Sequence, residues 1–424
     1  MKSLRQCAAL LAVMLTMCAT HADDSNAEAR SKERVPQRDF SDFPLRTSPS
    51  FLRASALKRD PRHTLLKTDA IPAEMKLEAL PTRAPEPADN PSTPAKIALG
   101  RLLFFDPILS ATQTVACATC HHPKFAWGDA RATPLGVGGS GLGPARVLGE
   151  SAGIAPLMRN VPSLLNIGFN GIVAGKRADP KAAPMFWDSR VQGLEAQVLV
   201  PIRSHDEMRG NHCAESDAVA AAVDRVRKIP EYEALFADAF PQPDNAITAG
   251  NLAKAVAAFE RSLIAGDSPF DRHLRGTGPA LTAQQERGLK VFQTAGCIQC
   301  HGGPMFSDFK LHFIGVSDSS LDGRRELRTP TLRNLRHTAP YMHHGAMRTF
   351  DEVLTFYEQL SDAVSETLDG GDATAHPPLD PLLRKLNLNA EDFPDLKAFL
   401  EMLNDDRYDR TVPEKVPSGL PVPR

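Results

Sequence analysis

The chain repeats one pentapeptide, Cys-x-x-Cys-His, at residues 117–121 and 297–301. This spacing lets two thiols bond covalently to the two vinyl groups of one haem, and the adjacent His can reach the iron from the same side. A structural zinc site would need a second pair of ligands at short spacing, and a redox Cys-x-x-Cys would not need a His after it both times. We therefore predict two c-type haems, held by Cys117, Cys120, His121, Cys297, Cys300 and His301.

The composition and the N-terminus suit an exported protein of two domains. The chain has 424 residues, of which 42% are hydrophobic, and its net charge of −2 gives no reason to expect nucleic acid or an anionic membrane surface as a partner. Lys2 and Arg5 precede an apolar run over 7–18 and small residues up to Ala22. This pattern predicts a cleaved signal peptide over 1–22 and a periplasmic location, and no later segment reaches the length of a transmembrane span.

The elements that position the two motifs are predicted to be helices joined by long loops. Periodic apolar residues begin near Thr93, and helical spacing predicts a helix over 247–265. Capping boxes at 282–285 and 349–352 predict two further helices. Strand-like alternation is scarce, so the fold class is mostly α, with two c-type cytochrome-like haem domains. The predicted segments are a signal peptide at 1–22, a disordered proline-rich arm at 23–90, an N-terminal haem domain at 91–245, a C-terminal haem domain at 246–411 and a tail at 412–424.

For two other sequence features, the glycine-rich segment and a single cysteine, no catalytic or cofactor-binding role is predicted. Residues 136–141 match the pattern G-x-G-x-x-G, but they follow no strand and open no helix, which favours a flexible glycine loop over a dinucleotide site. Cys213 is the one cysteine outside the signal peptide and the haem motifs. It has no partner for an internal disulfide, so a buried or inert thiol is predicted.

The residues around both motifs resemble the bacterial dihaem cytochrome c peroxidase and MauG superfamily. The resemblance spans residues 90–410 and implies that the first haem reacts with peroxide while the second transfers electrons. His121 would then bind the reactive iron and His301 the second. The landmarks that carry the resemblance, in the family's order, are LGRLLFFDP at 99–107, RNVPS at 159–163, FWDSR at 186–190, FERSL at 259–263, SPFD at 268–271, TLRN at 331–334 and TAPY at 338–341.

The resemblance also implies roles for residues that would otherwise have ordinary explanations. Trp187 matches the tryptophan that relays electrons between the haems, although alone it would be taken for a core aromatic. Glu207 matches the distal glutamate that moves a proton between the two peroxide oxygens, and Gln197 matches a pocket glutamine. The family holds one calcium ion between the haems, and an Asn amide with two carbonyls suits that ion. The matching calcium positions are Asn160, Thr338 and Pro340.

Two departures from the ordinary peroxidases indicate the MauG-like subgroup. Where those peroxidases have a Met as second ligand of the second haem, this chain has Tyr357, as MauG-like proteins do. A thioether favours reduced iron, whereas a hard tyrosinate favours oxidised iron. A buried tyrosine bonded to the backbone remains an alternative, as does ligation by Met342 or Met347. The loop near Val137 also lacks the His that closes the reactive haem in many peroxidases, so this haem is predicted to be open.

The resemblance therefore favours an enzyme that reacts with hydrogen peroxide and uses the stored oxidising equivalents to oxidise a partner protein. Ala295 stands where MauG itself has the surface Trp that passes these equivalents on, which argues against MauG's own reaction, cofactor maturation in methylamine dehydrogenase. Two alternatives stay open. One is a cytochrome c peroxidase that draws electrons from a small c-type cytochrome or cupredoxin. The other is an electron-transfer dihaem cytochrome without peroxide chemistry.

Overall fold

Helices joined by long loops build the described part of the chain, which confirms the mostly α prediction. The computed structural model describes residues 71–149, 153–241, 246–316, 326–368 and 379–424. The predicted signal peptide and most of the predicted arm lie outside these ranges. The helices are α1 Pro94–Phe105, α2 Cys117–Cys120, α3 Leu194–Gln197, α4 Leu199–Arg203, α5 Ala218–Arg227, α6 Pro230–Ala239, α7 Ala249–Arg261, α8 Pro269–Leu274, α9 Ala283–Thr294, α10 Phe350–Leu368 and α11 Phe393–Leu400.

Short antiparallel hairpins link some of these helices. Each pairs two strands of two residues, so they fix loops rather than form a layer of the core. The strands are β1 Gly139–Ser140 with β2 Val147–Leu148, β3 Pro184–Met185 with β4 Val191–Gln192, and β5 Leu311–His312 with β6 Leu327–Arg328.

The helix starts follow the capping residues that the sequence predicts. Thr282 Oγ1 accepts a hydrogen bond from Gln285 N (3.3 Å), and Gln285 Oε1 accepts one from Thr282 N (2.9 Å), so both halves of this capping box form. Thr349 Oγ1 likewise accepts from Glu352 N (3.2 Å) at the start of α10. The helix predicted over 247–265 is α7, which is shorter at both ends.

The first core surrounds the first haem motif and is built on helices α1 and α7. A Cβ on Gly100 would lie 2.0 Å from Ala255 O, so the two helix backbones approach at a distance that only glycine allows. Leu103, Phe104 and Phe259 are buried at this contact. Because α7 packs here, the domain boundary predicted between residues 245 and 246 separates two helices that pack on each other.

The second core surrounds the second haem motif and is built on α9 and α11. A Cβ on Gly288 would lie 1.9 Å from Asp395 O, which repeats the close helix approach of the first core. The rings of Phe292, Phe306 and Phe399 pack beside it with centroids 5.3–6.3 Å apart. Edge and tilted ring contacts of this kind fix the loop that follows the motif.

Residues 71–90 are ordered, in contrast to the arm predicted over 23–90. Met75 O accepts a hydrogen bond from Gly303 N (3.2 Å), and Leu80 N donates to Asp271 Oδ1 (2.8 Å). At the other end of the chain, the tail predicted over 412–424 packs on the first core, where Ser418 Oγ donates to Asp106 Oδ1 (2.6 Å). In the ranges given above, no helix combines the length and apolar character needed to cross a membrane.

Candidate dihaem site

The first motif places its thiols on the single turn α2, with His121 directly after it. His121 Nδ1 lies 3.1 Å from Trp127 O. A carbonyl can only accept, so Nδ1 carries the proton and Nε2 keeps a lone pair for a metal. Burial lowers the pKa of His121 to about 4, which keeps the ring neutral at neutral pH as iron ligation requires.

The second motif repeats this arrangement on one turn of 3₁₀ helix, Cys297–Gln299. His301 Nδ1 lies 3.1 Å from Phe306 O, and burial lowers the pKa of its ring as well. Phe306 belongs to the second core, so that core holds both the motif and the orientation of its His. Both motifs therefore offer a neutral, oriented imidazole with Nε2 available.

The residues at the first motif fit a covalently attached haem better than zinc or a redox pair. Burial raises the pKa of the Cys120 thiol to about 12, and a neutral thiol is a poor nucleophile for disulfide exchange. Among the described residues, no group of three His, Cys, Asp or Glu side chains at this motif comes close enough to hold a metal ion. Glu260 Oε2 and Arg261 Nη1 are also buried with no hydrogen-bond partner in the described ranges. The charge of Glu260 acts on the thiol of Cys117, so its unsatisfied oxygen lies near the motif and suits a polar group of a bound cofactor.

A cavity of about 280 Å³ lies against the second motif and brings most of the predicted residues together. Its walls come from chain segments that are far apart in sequence, as is usual for a cofactor pocket. The predicted site residues that line it are Cys297, Cys300, His301, Tyr357, Trp187, Asn160, Thr338 and Pro340.

Tyr357 faces this cavity from α10. Burial raises the pKa of its phenol, and no hydrogen bond to its hydroxyl is found among the described residues. Among the described residues, the hydroxyl therefore has no backbone partner of the kind that the alternative of a buried, bonded tyrosine supposes. Met342 lines the same cavity, whereas Met347 is not among its lining residues. Of the predicted second ligands, Tyr357 and Met342 thus line the cavity, and Met305 lines it as well.

Trp187 is held by the segment that carries the predicted calcium ligand. Its Nε1 donates to Asn160 O (2.9 Å), and its ring packs edge-on to His343 with centroids 6.4 Å apart. Asn160 Nδ2 donates to Arg131 O (2.6 Å), which leaves the amide oxygen for another partner. Thr338 and Pro340 line the same cavity, and an amide oxygen with backbone carbonyls is the type of donor set that calcium accepts.

Glu207 lies near the first motif rather than in the cavity of the second. It sits in a turn of π-helix, His205–Arg209, an irregularity often found at functional sites. Burial raises the pKa of Glu207, opposed by a hydrogen bond from Ser204 and the charge of Arg190. Burial also raises the pKa of the Cys117 and Cys120 thiols, and the charge of Glu207 adds to that effect. The carboxyl is half-buried, not a fully solvated surface charge.

Other predicted residues have simpler surroundings. Gln197 is the half-buried last residue of α3, and Cys213 is a half-buried free thiol.

Sequence reasoning gave no role to Trp127, which is fully buried between Phe104 and Phe259. Its one signal was its rarity, because the chain has 2 Trp residues and this one follows the first motif by a few positions. Its carbonyl orients His121.

Comparisons with known proteins show which family this chain belongs to. Residues 94–278 match the family model described as di-haem cytochrome c peroxidase. Over 347 residues the chain is 32% identical to the methylamine utilization protein MauG of Methylorubrum extorquens, which covers 79% of this chain and 85% of that protein. The chain belongs to the dihaem cytochrome c peroxidase and MauG family.

Both cytochrome c peroxidases and MauG-like proteins are similar to this chain. The cytochrome c peroxidase Ccp of Escherichia coli is 33% identical over 285 residues, 63% of this chain and 54% of that protein. A solved structure of a MauG-like protein associated with microbial copper homeostasis matches with a TM-score of 0.59 and 28% identity, covering 77% of this chain and 95% of that chain. The dihaem peroxidase BthA of Burkholderia thailandensis supports the fold, with a TM-score of 0.56 at 23% identity, over 82% and 97% of the two chains. Family membership implies two haems, peroxide as substrate and a haem peroxidase type of oxidoreductase.

Proposed function

We propose that this protein is a periplasmic, MauG-like oxidoreductase that reacts with hydrogen peroxide and uses the stored oxidising equivalents to oxidise a partner protein. The observation that carries the proposal is Tyr357, which lines the cavity of the second motif with His301 and has no hydrogen-bond partner for its hydroxyl in the described ranges. The haems supply the redox chemistry of the family. Tyr357 would hold the second haem through its phenolate, which would favour oxidised iron and suit that haem to retain oxidising equivalents rather than to accept electrons from a cytochrome.

Glu207 is the proposed acid–base group for the peroxide reaction. Its carboxylate takes the proton from one peroxide oxygen and returns it to the other, which makes the leaving group water. Burial raises its pKa and so strengthens it as a base, while the charge of Arg190 favours the ionised form that must start the reaction. Gln197 is proposed as the amide of the same pocket.

Trp187 is the proposed electron relay between the haems. Its Nε1–H donates to the carbonyl of Asn160, and a carbonyl is too weak a base to take the proton. An indole that loses an electron here keeps its proton and is restored by an electron alone, so the relay is reversible. The proposed calcium ion, bound by Asn160, Thr338 and Pro340, would hold the same segment and therefore the position of this indole.

The partner protein is proposed to dock somewhere other than at the position that MauG uses. Ala295, which occupies that position, is 3% exposed at the end of α9, and its carbonyl accepts from Asn387 N (3.1 Å). The methyl group offers no oxidisable ring, and the site is not on the surface. This supports a protein substrate different from that of MauG.

One observation favours the second candidate, a cytochrome c peroxidase that uses a small c-type cytochrome or cupredoxin as donor. Met342 lines the cavity beside the second motif, so a thioether is within the same enclosure as the iron-binding His. Ligation by Met342 would raise the potential of the second haem and suit it to accept electrons.

The potential of the second haem separates the two candidates. Tyr357→Met should raise it by on the order of 100 mV, because a neutral thioether replaces a hard anion. Tyr341→Phe is the matched control, since Tyr341 lines the same cavity but its hydroxyl donates to Leu335 O (2.9 Å). The measurement is a spectroscopic redox titration, followed by turnover of peroxide with reduced cytochrome c. An unchanged potential in Tyr357→Met, or rapid oxidation of cytochrome c by the wild type, would favour the peroxidase.

A further inference from the structure

The glycine-rich loop at 136–141 is tied to a buried arginine that follows it in the chain. Arg146 is 5% exposed, and its guanidinium donates from Nε to Leu135 O (2.6 Å), from Nη2 to Gly136 O (2.6 Å) and from Nη1 to Gly141 O (2.9 Å). One planar group therefore holds both ends of the loop. These hydrogen bonds order the loop that was predicted to be flexible, and a Cβ on Gly136 or Gly139 would clash with neighbouring atoms.

The same loop supports the turn that carries Glu207. A Cβ on Gly136 would lie 1.9 Å from Asp206 O and 2.7 Å from Glu207 Cα, so the loop backbone touches the backbone of the acid–base residue with no space for a side chain. At the far end of the turn, a Cβ on Gly210 would lie 3.4 Å from Val137 Cγ2. The loop thus contacts the turn at two successive positions.

We propose that Arg146 is a positioning residue for the peroxide reaction: by fixing residues 135–141, it holds Gly136 against the backbone of Glu207 and sets where that carboxyl lies. This inference rests on the acid–base role proposed for Glu207. It also explains why an arginine stands there. Three carbonyls in different directions need a planar fork of donors, whereas an ammonium is a single point that cannot reach all of them.

The contact makes a second prediction about the glycine. Gly136 has no positive φ, so an alanine there meets no backbone strain and acts only through its added methyl group. Because the nearest atoms belong to the backbone of Asp206 and Glu207, they cannot rotate away. The methyl group must push the loop and the Glu207 turn apart.

The test uses Arg146→Lys and Gly136→Ala in the haem-loaded protein, with Glu207→Gln as reference. Both variants should slow the reaction with peroxide by roughly 10- to 100-fold, because a displacement of about 1 Å at an acid–base group has effects of that size. Arg227→Lys is the matched control, since Arg227 also binds a backbone carbonyl, that of Ile247 (2.9 and 3.1 Å), but away from the loop. Mass spectrometry must show two haems in every variant.

The pH profile separates positioning from a general loss of structure. Burial is the main cause that raises the pKa of Glu207. The groups that interact with this carboxyl are Arg190, Asp206, the Ser204 hydroxyl and the sulfur atoms of Cys117 and Cys120, none of which is changed. Opening the contact admits water, so the midpoint of the rate profile should move to lower pH in both variants. Partial unfolding would lower the rate without moving the midpoint.

The outcomes also distinguish this inference from the proposed function. If Glu207→Gln slows the reaction while Arg146→Lys and Gly136→Ala keep the wild-type rate and midpoint, the positioning role is refuted and the acid–base role stands. If Glu207→Gln itself reacts normally, the acid–base role fails, and the positioning role fails with it. Gly250→Ala, at a helix position where the nearest atom is 3.9 Å away, controls for a neutral glycine substitution.

Discussion

Replacing Arg333 by Met should destabilise the region around the second motif, because it leaves a buried carboxylate without its counter-ion. Arg333 and Asp271 are 1% and 0% exposed, and they share two hydrogen bonds of 2.7 and 3.0 Å. Asp271 also accepts from Leu80 N (2.8 Å) and from Ser268 Oγ (2.6 Å). The pair therefore joins the ordered part of the arm and the start of α8 to a wall of the cavity, which Arg333 lines.

The size of the effect follows from burial and from the size of the folded unit. Removing one partner of a buried ion pair costs roughly 3–5 kcal/mol. The unit Lys67–Arg424 unfolds with an entropy of about 2.1 cal/mol/K per residue, so Tm should fall by roughly 4–7 °C. Arg336→Met is the matched control, because Arg336 is 49% exposed and pairs with an exposed Glu401, and such a pair is worth no more than about 1 kcal/mol.

The assay is thermal unfolding of the haem-loaded protein, followed by far-UV circular dichroism and by the haem absorbance. The double variant Arg333→Met with Asp271→Asn should be more stable than Arg333→Met alone, because it buries no unpaired charge. A double variant no more stable than the single one would refute the reasoning. So would a Tm of Arg333→Met within about 1 °C of the wild type.

Lowering the pH should reduce the difference in Tm between the wild type and Arg333→Met. Burial alone would raise the pKa of Asp271, but the charge and hydrogen bonds of Arg333 hold it below the ordinary value of 3.8. Such a group contributes stability above its unfolded pKa, and that contribution is lost as pH falls through the lower, folded pKa. The Tm difference should therefore be full near neutral pH and smaller below about pH 4.

Three further predictions concern the proposed site residues. Glu207→Gln should slow the peroxide reaction roughly 100-fold and abolish its rise with pH, whereas Asp206→Asn should keep that rise; stopped-flow kinetics measure both. Trp187→Phe should make the two haems react independently in a peroxide titration. If the variant still stores two oxidising equivalents across both haems, electrons must take another route. Asn160→Ala should remove bound calcium, measured by elemental analysis, while Asn170→Ala, at a lining residue of the same cavity, should retain it; a wild-type protein free of calcium would contradict the predicted site.

Local features were predictable from the sequence because they depend on residues close together in the chain. The caps at Thr282 and Thr349 need only a side chain and an amide three positions on, and both formed as predicted. The orientation of Tyr357 toward the interior followed from helical spacing. The resemblance supplied Trp187, Asn160 and the other cavity residues, but not the contacts among them.

Long-range contacts were not predictable, since polar composition alone does not reveal a partner far away in sequence. Residues 71–90 have the composition of a flexible arm, yet Leu80 N reaches an oxygen of Asp271, 191 positions later. The tail likewise meets Asp106 across 312 positions. In both cases, a specific hydrogen bond and a buried apolar side chain offset the entropy that the segment loses when it becomes ordered. The polar composition alone had predicted that this entropy loss would keep the segment disordered.

The sequence by itself determined the mostly helical class and the family and predicted the two haem attachment sites, because a covalent motif and a cap are complete within a few residues. Only the tertiary structure decided that Arg146 holds the loop touching Glu207, that Trp187 is bonded to Asn160, and that Tyr357 faces the second motif with its hydroxyl unbonded in the described ranges. These relations are contacts between segments that are separated along the chain, and no local sequence pattern encodes them.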